Sequence, residues 1–472
     1  MFTDFLRASV AGLALLPVLS FSLSAARGQS LIRQMDAYFA PLVATHNFSG
    51  VALIARGDRT LVLKAYGLAS QELNTPNRAD SKFQIASLSK LLTSAAVLRL
   101  VEQRKLDLRS PISRILPDYP NGDHLTVLQL LTHTSGIPNL NQMPAYGDLG
   151  LKRRTPAELV AAFKDAKADF LPGTSYAYSN SNYALLALII EQVSGRSYGD
   201  SMRREVFEPL GMTATGHRGD STEVIPLMSE GYVAAGRTGL KRPAWFDWTV
   251  KTGNGSLYST AGDLLRFVRG YFSGQLLGGD LVKSATTSAG VPERAVGFEW
   301  MPSEMGYGWM IDQHLNRRRL YHPGTSPGYQ AFLSYYPDDQ LTVIVLSNIY
   351  VSNAEPAAEE LAAMALGIPQ TRTKISDAPV AAGTASRLVG RYGFGQDFRP
   401  PGLTLTVSEE GGHMALRFGT TAQPSPLLPL SDLNFVERTN WQTVRFDAEP
   451  GAIAHALTLT NGRQTWRAAR MP

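Results

Sequence analysis

The chain has 472 residues, of which 44% are apolar and 18% charged, the balance of a folded protein with room for two or three domains and not of a disordered one. It contains no cysteine, which excludes a thiol nucleophile, thiolate-bound zinc, an iron–sulfur cluster and lipid attached to an N-terminal cysteine. Net charge is only +5, and the basic triplets Lys152-Arg153-Arg154 and Arg317-Arg318-Arg319 are expected to be solvated loop or strand-edge charge, with no nucleic acid as partner.

Residues 1–26 read as a secretory signal: Arg7 in the leading segment, an apolar stretch over 8–23, then small residues at Ser24-Ala25-Ala26. The stretch is short for a spanning helix and contains Pro17, so a periplasmic or secreted protein is expected ahead of one anchored by its N-terminus. No transmembrane segment is expected beyond it. A hairpin is predicted over 47–69, turning at Arg56-Gly57-Asp58. Residues 87–104 follow with helical spacing, Leu88, Leu91, Leu92, Ala95, Leu98 and Val101 sharing a face. Further helices are predicted near 126–132, 156–166, 182–193, 199–207 and 262–273. Strands follow at Tyr307–Asp312, Arg319–His322, Gln330–Tyr336 and Leu341–Asn348, then a helix over 354–366. Strands thus open and close the segment, which implies an α+β domain over 30–367 whose sheet joins distant parts of the chain. Residues 368–386, rich in Pro, Ala and Thr, read as a linker. Short alternating runs at 403–407, 414–418, 441–446 and 456–459, with turns at Gly411-Gly412 and Asn461-Gly462, make 387–472 a small all-β domain.

Chemistry concentrates at three places. Ser87-Leu88-Ser89-Lys90 opens a helix, where residues three apart share a face with Cβ atoms about 5–6 Å apart. Lys90 can therefore reach the Ser87 hydroxyl. A lysine buried near a helix N-terminus has its charged form disfavoured, and as a neutral amine it can serve as base to a serine nucleophile. Tyr178-Ser179-Asn180 lies between a Pro-Gly turn and a helix; a tyrosine oxygen there could relay a proton and an asparagine could hold the lysine. The third is His322-Pro323-Gly324 in a late strand, where a glycine permits close backbone approach of a ligand.

Ser-x-x-Lys, Tyr-x-Asn and His-x-Gly, in this order, resemble the active site of class C β-lactamases and the related penicillin-binding proteins and esterases. The segments FQIASLSKLLTSAAVLRLVEQRKLDLRSPI, LQLLTHTSGIP, PGTSYAYSNSNYALLALIIEQVSGRSY, GSLYSTAGDLLRF and HPGTSPGY agree in order with that family of serine hydrolases. The resemblance runs over about residues 35–367. It implies a β-lactamase/DD-peptidase-like fold, a mainly antiparallel sheet flanked by helices with a helical subdomain, followed by an appended lipocalin-like or barrel domain. It makes Ser87 the acylated nucleophile, Lys90 its proton acceptor and Tyr178 a general base and acid. Asn180 then contacts Lys90 and substrate, His322 and Gly324 occupy the third motif, and the N–H groups of Ser87 and Thr325 form an oxyanion hole. One such donor is worth about 2.7–4 kcal/mol in the tetrahedral state.

Two departures shape the expected activity. His322 stands where a lysine is usual, turning a permanent cation into one that titrates near pH 6.5; if it anchors an anionic group, kcat/KM falls as pH rises. Pro323 stands where a hydroxyl residue is common, removing a donor to a substrate carboxylate. The expectation is a serine hydrolase acting on an ester, amide or D-amino-acid peptide from a small or cell-wall-derived substrate, with weak or no β-lactamase activity and neither metal nor cofactor. The alternatives are a non-catalytic sensor of peptidoglycan fragments or penicillin, and an α/β-hydrolase using Ser197 of Gly195-Arg-Ser197-Tyr-Gly199. Lys251-Thr252-Gly253 spells a third motif but precedes a turn and helix start. Ser326, in another Gly-x-Ser-x-Gly, is followed by Pro327, which has no N–H. Glu158 reads as a helix first turn, and His133 as a residue that fixes a turn.

Overall fold

The computed structural model describes residues 16–295, 297–298, 301–351, 353–369, 375, 378–395, 402–420, 422–461 and 464–472, with side chains of the leading helix described from residue 28. Residues 1–15 of the expected signal lie outside the described residues.

A seven-stranded antiparallel sheet carries the first domain, in the order Glu304–Met305, Met310–His314, Arg317–Ser326, Tyr329–Tyr336, Leu341–Ser347, Gly50–Arg56 and Arg59–Tyr66. The opening hairpin therefore lies beside the last strand, Gly50 facing Ser347 and Arg56 facing Leu341. The run GVALIA lacks apolar–polar alternation because the strand is covered on both faces. Val51, Leu53 and Ala55 point into the helical cluster. Ala52 and Ile54 point to the opposite face, against the helices Leu16–Ala44 and Ala354–Leu366.

The leading helix Leu16–Ala44 is absent from the sequence-based expectations. Its residues Leu31, Met35, Phe39 and Leu42 recur at helical spacing and are buried against the sheet. Each contributes about 1.5–3 kcal/mol by leaving water. This helix passes through positions 24–26, the small residues expected at a cleavage site.

On the other face, the helix Ser89–Glu102 is buried nearly all round, including Ser89 and Lys90. A helix without a solvated face is a core helix, and this one packs against Asn180–Ser194, whose first eleven residues, Asn180 to Ile190, are also buried. Thr126 and Thr155 begin their helices with capping boxes closed by Gln129 and Glu158, as the helix-start reading of Glu158 expected. The predicted helix 199–207 is an α-helix only over Tyr198–Met202 and continues as a wider π-type turn, Arg203–Phe207. The basic triplet at 317–319 is not solvated: Arg319 is buried and paired with Asp312, Glu359 and Glu355.

The C-terminal domain is a closed barrel of eight antiparallel strands from Gly390–Phe394 to Thr465–Arg470, sealed by pairing of the first strand with the last. The end of the expected linker is ordered as the helix Ala382–Leu388, which buries Ala385 and Leu388 in the barrel core. Arg438, wholly buried, ties the barrel to the first domain. It donates to Asn47 Oδ1 at 2.7 Å and to the carbonyls of Gly236 at 2.5 Å and His46 at 3.2 Å.

Candidate active site

Ser87, the candidate nucleophile, is presented by a strained turn. Ala86 has φ +49°, a conformation that costs an L-residue about 1–2 kcal/mol. It is the first residue of the 3-10 turn Ala86–Leu88, which follows the short strand Phe83–Gln84 and leads into the helix Ser89–Glu102. Two bonds hold the turn in place: Ile85 N–H donates to the Leu257 carbonyl at 3.0 Å, and Leu257 N–H to Ser89 Oγ at 3.2 Å. Ser87 remains half-buried while Lys90 is fully buried, so the hydroxyl can be reached from outside and its partner amine cannot.

Three of the sequence-predicted residues converge on one oxygen. Lys90 Nζ lies 3.1 Å from Ser87 Oγ and Tyr178 donates to the same oxygen at 3.0 Å. Lys90 Nζ also donates to Asn180 Oδ1 and to the Asn254 carbonyl, each at 2.8 Å. All three acceptors are uncharged. Burial and the nearby charge of Lys251 hold the Lys90 amine well below its ordinary range, toward the neutral form. Burial moves the Tyr178 phenol the opposite way, keeping its proton on. The pair is thus a neutral amine beside a neutral phenol, an arrangement in which the amine can accept a proton and the phenol can give one.

His133 is structural, and it acts on Tyr178. Its carbonyl accepts from Ala177 N–H at 3.0 Å and its Nδ1 from Ser179 N–H at 3.2 Å. Its ring lies 4.6 Å from the Tyr178 ring. The tyrosine is therefore gripped on both sides of its backbone and on its face. Asn139, which the sequence reading missed, holds the next residue but one: its Oδ1 accepts from Asn180 N–H at 3.1 Å and from Asn180 Nδ2 at 3.3 Å.

The third motif lies on the strand Arg317–Ser326, beside the nucleophile turn. Pro323 is tolerated because the neighbouring strand Met310–His314 stops pairing at Tyr321, leaving only the Tyr329–Tyr336 strand at Pro323. Gly324 admits not a ligand but the nucleophile turn itself: a Cβ there would lie 2.4 Å from the Ile85 carbonyl oxygen. Thr325, the next residue, is exposed. His322 departs from its expected role as a cation. It is fully buried, its Nδ1–H is held by the Pro323 carbonyl at 2.6 Å, and burial above all presses its pKa down to about 3. At neutral pH it carries no charge to offer an anion.

The other motifs fall elsewhere. Ser197 is an exposed N-cap bonded to Asp200, with Gly195 capping the preceding helix at φ +67°, so no nucleophile elbow exists there. Ser326 is buried at a strand end. Lys251 ends the 3-10 helix Trp248–Lys251 and Thr252-Gly253 continue as a turn and not a strand. Gly253 is required there, since a Cβ would stand 2.1 Å from the Tyr183 carbonyl oxygen. This turn nonetheless ends at Asn254, whose carbonyl binds Lys90.

The Beta-lactamase family model matches residues 35–367. The chain belongs to the β-lactamase family. Within it, the chain is 30% identical over 334 residues to a penicillin-binding protein of Bacillus subtilis (strain 168), covering 68% of this chain and 72% of that one. Two solved structures share the fold. D-amino acid amidase from Ochrobactrum anthropi superposes with TM-score 0.62 at 23% identity, covering 72% of this chain and 99% of its own. An octameric penicillin-binding protein homologue from Pyrococcus abyssi superposes with TM-score 0.65 at 22% identity, covering 93% of this chain and 100% of its own. This β-lactamase-family chain is a serine hydrolase with a β-lactamase/DD-peptidase-like domain and a C-terminal barrel. Among the described residues no helix is long and apolar enough to cross a membrane.

Proposed function

We propose that this protein is an exported hydrolase that forms an acyl-enzyme on Ser87 with ester, amide or D-amino-acid peptide substrates and has little activity on β-lactams. One observation carries the reading: a half-exposed hydroxyl flanked at 3.1 and 3.0 Å by a buried neutral amine and a buried neutral phenol. Lys90 takes the Ser87 proton as Oγ bonds to the substrate carbonyl carbon. The N–H groups of Ser87 and Thr325 receive the oxyanion, where a donor of this kind is worth about 2.7–4 kcal/mol. Tyr178 then gives its proton to the departing oxygen or nitrogen and is recharged from Lys90. Water enters by the reverse route, losing a proton to the same pair as the acyl–Oγ bond breaks.

Substrate breadth follows from the third motif. A neutral His322 beside Pro323 provides neither the cation nor the hydroxyl that would anchor a carboxylate on the leaving side, which disfavours β-lactams and favours esters and amides. Export is supported by the signal-like residues 1–26.

A panel of p-nitrophenyl esters, D-amino-acid amides, peptidoglycan peptides and nitrocefin tests the reading. Turnover of esters or D-amino-acid amides, at least about a hundredfold faster than nitrocefin and lost in Ser87→Ala, is the expected result. Turnover that survives Ser87→Ala, or nitrocefin as the best substrate, overturns it.

A further inference from the structure

The turn before Asn254 holds a second buried lysine. Lys251 is 8% exposed, and its ammonium lies 5.5 Å from the centre of the Phe246 ring and 6.0 Å from that of Tyr146. Among the described residues no carboxylate and no hydrogen-bond acceptor pairs with it. A buried cation without an anion is costly, and rings alone offset it in part.

Its surroundings belong to the active site. The Lys251 carbonyl accepts from the N–H groups of Asn254 and Gly255 at 3.0 and 2.8 Å, and the Asn254 carbonyl holds Lys90. Tyr146 stands just beyond the segment of Asn139, which holds Asn180. Asn254 Nδ2 is shut off from solvent without a partner among the described residues, whereas the Lys251 ammonium keeps an edge open to solvent. Two unused donors thus occupy one turn beside the catalytic lysine. Burial lowers the Lys251 pKa to about 8, which leaves the ammonium predominantly charged at pH 7. The third-motif strand, by contrast, offers only a neutral histidine.

We propose that Lys251 is a specificity residue whose missing counter-ion is a carboxylate on the acyl part of the substrate. Recognition of an anion then comes from the turn that carries Asn254 and not from the strand that carries His322. This inference rests on Ser87 acylation as described above and adds the charge of the acyl group to it.

Two esters with the same leaving group isolate the charge: p-nitrophenyl hemisuccinate and the similarly sized neutral p-nitrophenyl butyrate. The wild-type enzyme is expected to have the higher kcat/KM for the hemisuccinate. Lys251→Met is expected to lower the hemisuccinate-to-butyrate ratio at least about tenfold, as loss of one member of a desolvated charge pair does, and Lys251→Arg to restore much of it. A wild-type preference for butyrate overturns the inference without recourse to any variant. So does an unchanged ratio in a Lys251→Met protein that still reacts with a fluorophosphonate. If neither ester nor a D-amino-acid amide is cleaved, the Ser87 reading itself fails; if butyrate is cleaved with no charge preference, only the role of Lys251 fails.

Discussion

Ser87 Oγ has two neighbours that burial drives in opposite directions. Desolvation strips a proton from Lys90 and retains one on Tyr178, because in each case the charged form loses more water. Tyr178→Phe keeps the ring against His133 and removes only the proton donor. It is expected to lower kcat by about 10²–10⁴ with an unchanged melting temperature, and equal kcat in the two proteins would refute the donor role. For His322 the sign is also fixed: with a pKa near 3 it stays neutral at every pH above about 4. The kcat/KM profiles of wild type and His322→Gln are therefore expected to share one shape from pH 5.5 to 8, and loss of a pH step in the variant would show that the histidine titrates. The meeting of Ser87 with Lys90 was legible in their helical spacing, and that of Tyr178 with both only through the resemblance to the β-lactamase family. The charge of His322 was not, since it depends on burial by distant segments. Asn139 and the Asn254 carbonyl were also silent, one a lone asparagine in a loop and the other a backbone atom.

At the scale of elements, the site is a meeting of a strained turn, two buried helices and one strand. Gly324 sets the last of these contacts. Gly324→Ala places a Cβ 2.4 Å from the Ile85 carbonyl oxygen, so strand and turn must separate. The expected cost is about 1–3 kcal/mol in stability, with kcat reduced by about 10², the penalty of a displacement of roughly 1 Å at a nucleophile. Calorimetry and steady-state kinetics on the same preparation check both; wild-type values for each would contradict the packing. Most helices were readable to within a few residues, since Thr126, Thr155 and Thr260 cap helices that bury an apolar face. The strand Arg317–Ser326 was read over Arg319–His322; the short reach of its neighbour is what lets it continue through Pro323. The leading helix escaped notice because its buried stripe follows directly on a segment that reads as a signal, and the π-type turn at Arg203–Phe207 has no local signature in the residues.

Across the whole molecule, four histidines are held neutral by burial: His217 and His314 near 4, His322 near 3, and His133 well below its ordinary 6.5. The unfolded chain protonates them near 6.5, so between that pH and their folded values it binds more protons than the native protein. Stability is therefore complete above pH 6.5 and is lost as pH falls through 4. The melting temperature is expected to be lower at pH 4.5 than at 7.5 by calorimetry, and equal values would contradict the neutral histidines. The two-domain layout was visible in the change from helical to alternating pattern after residue 386. The number of barrel strands and the anchoring of the barrel through Arg438 were not, because a closed sheet and a cross-domain contact are set by partners far apart in sequence.

The central claim is that one oxygen, activated by Lys90, does the chemistry. Labelling with a fluorophosphonate followed by peptide mass mapping tests it most directly. The account predicts a single adduct on the peptide bearing Ser87, abolished in Lys90→Met. An adduct on Ser197 or Ser326, or undiminished labelling of Ser87 without Lys90, would contradict it.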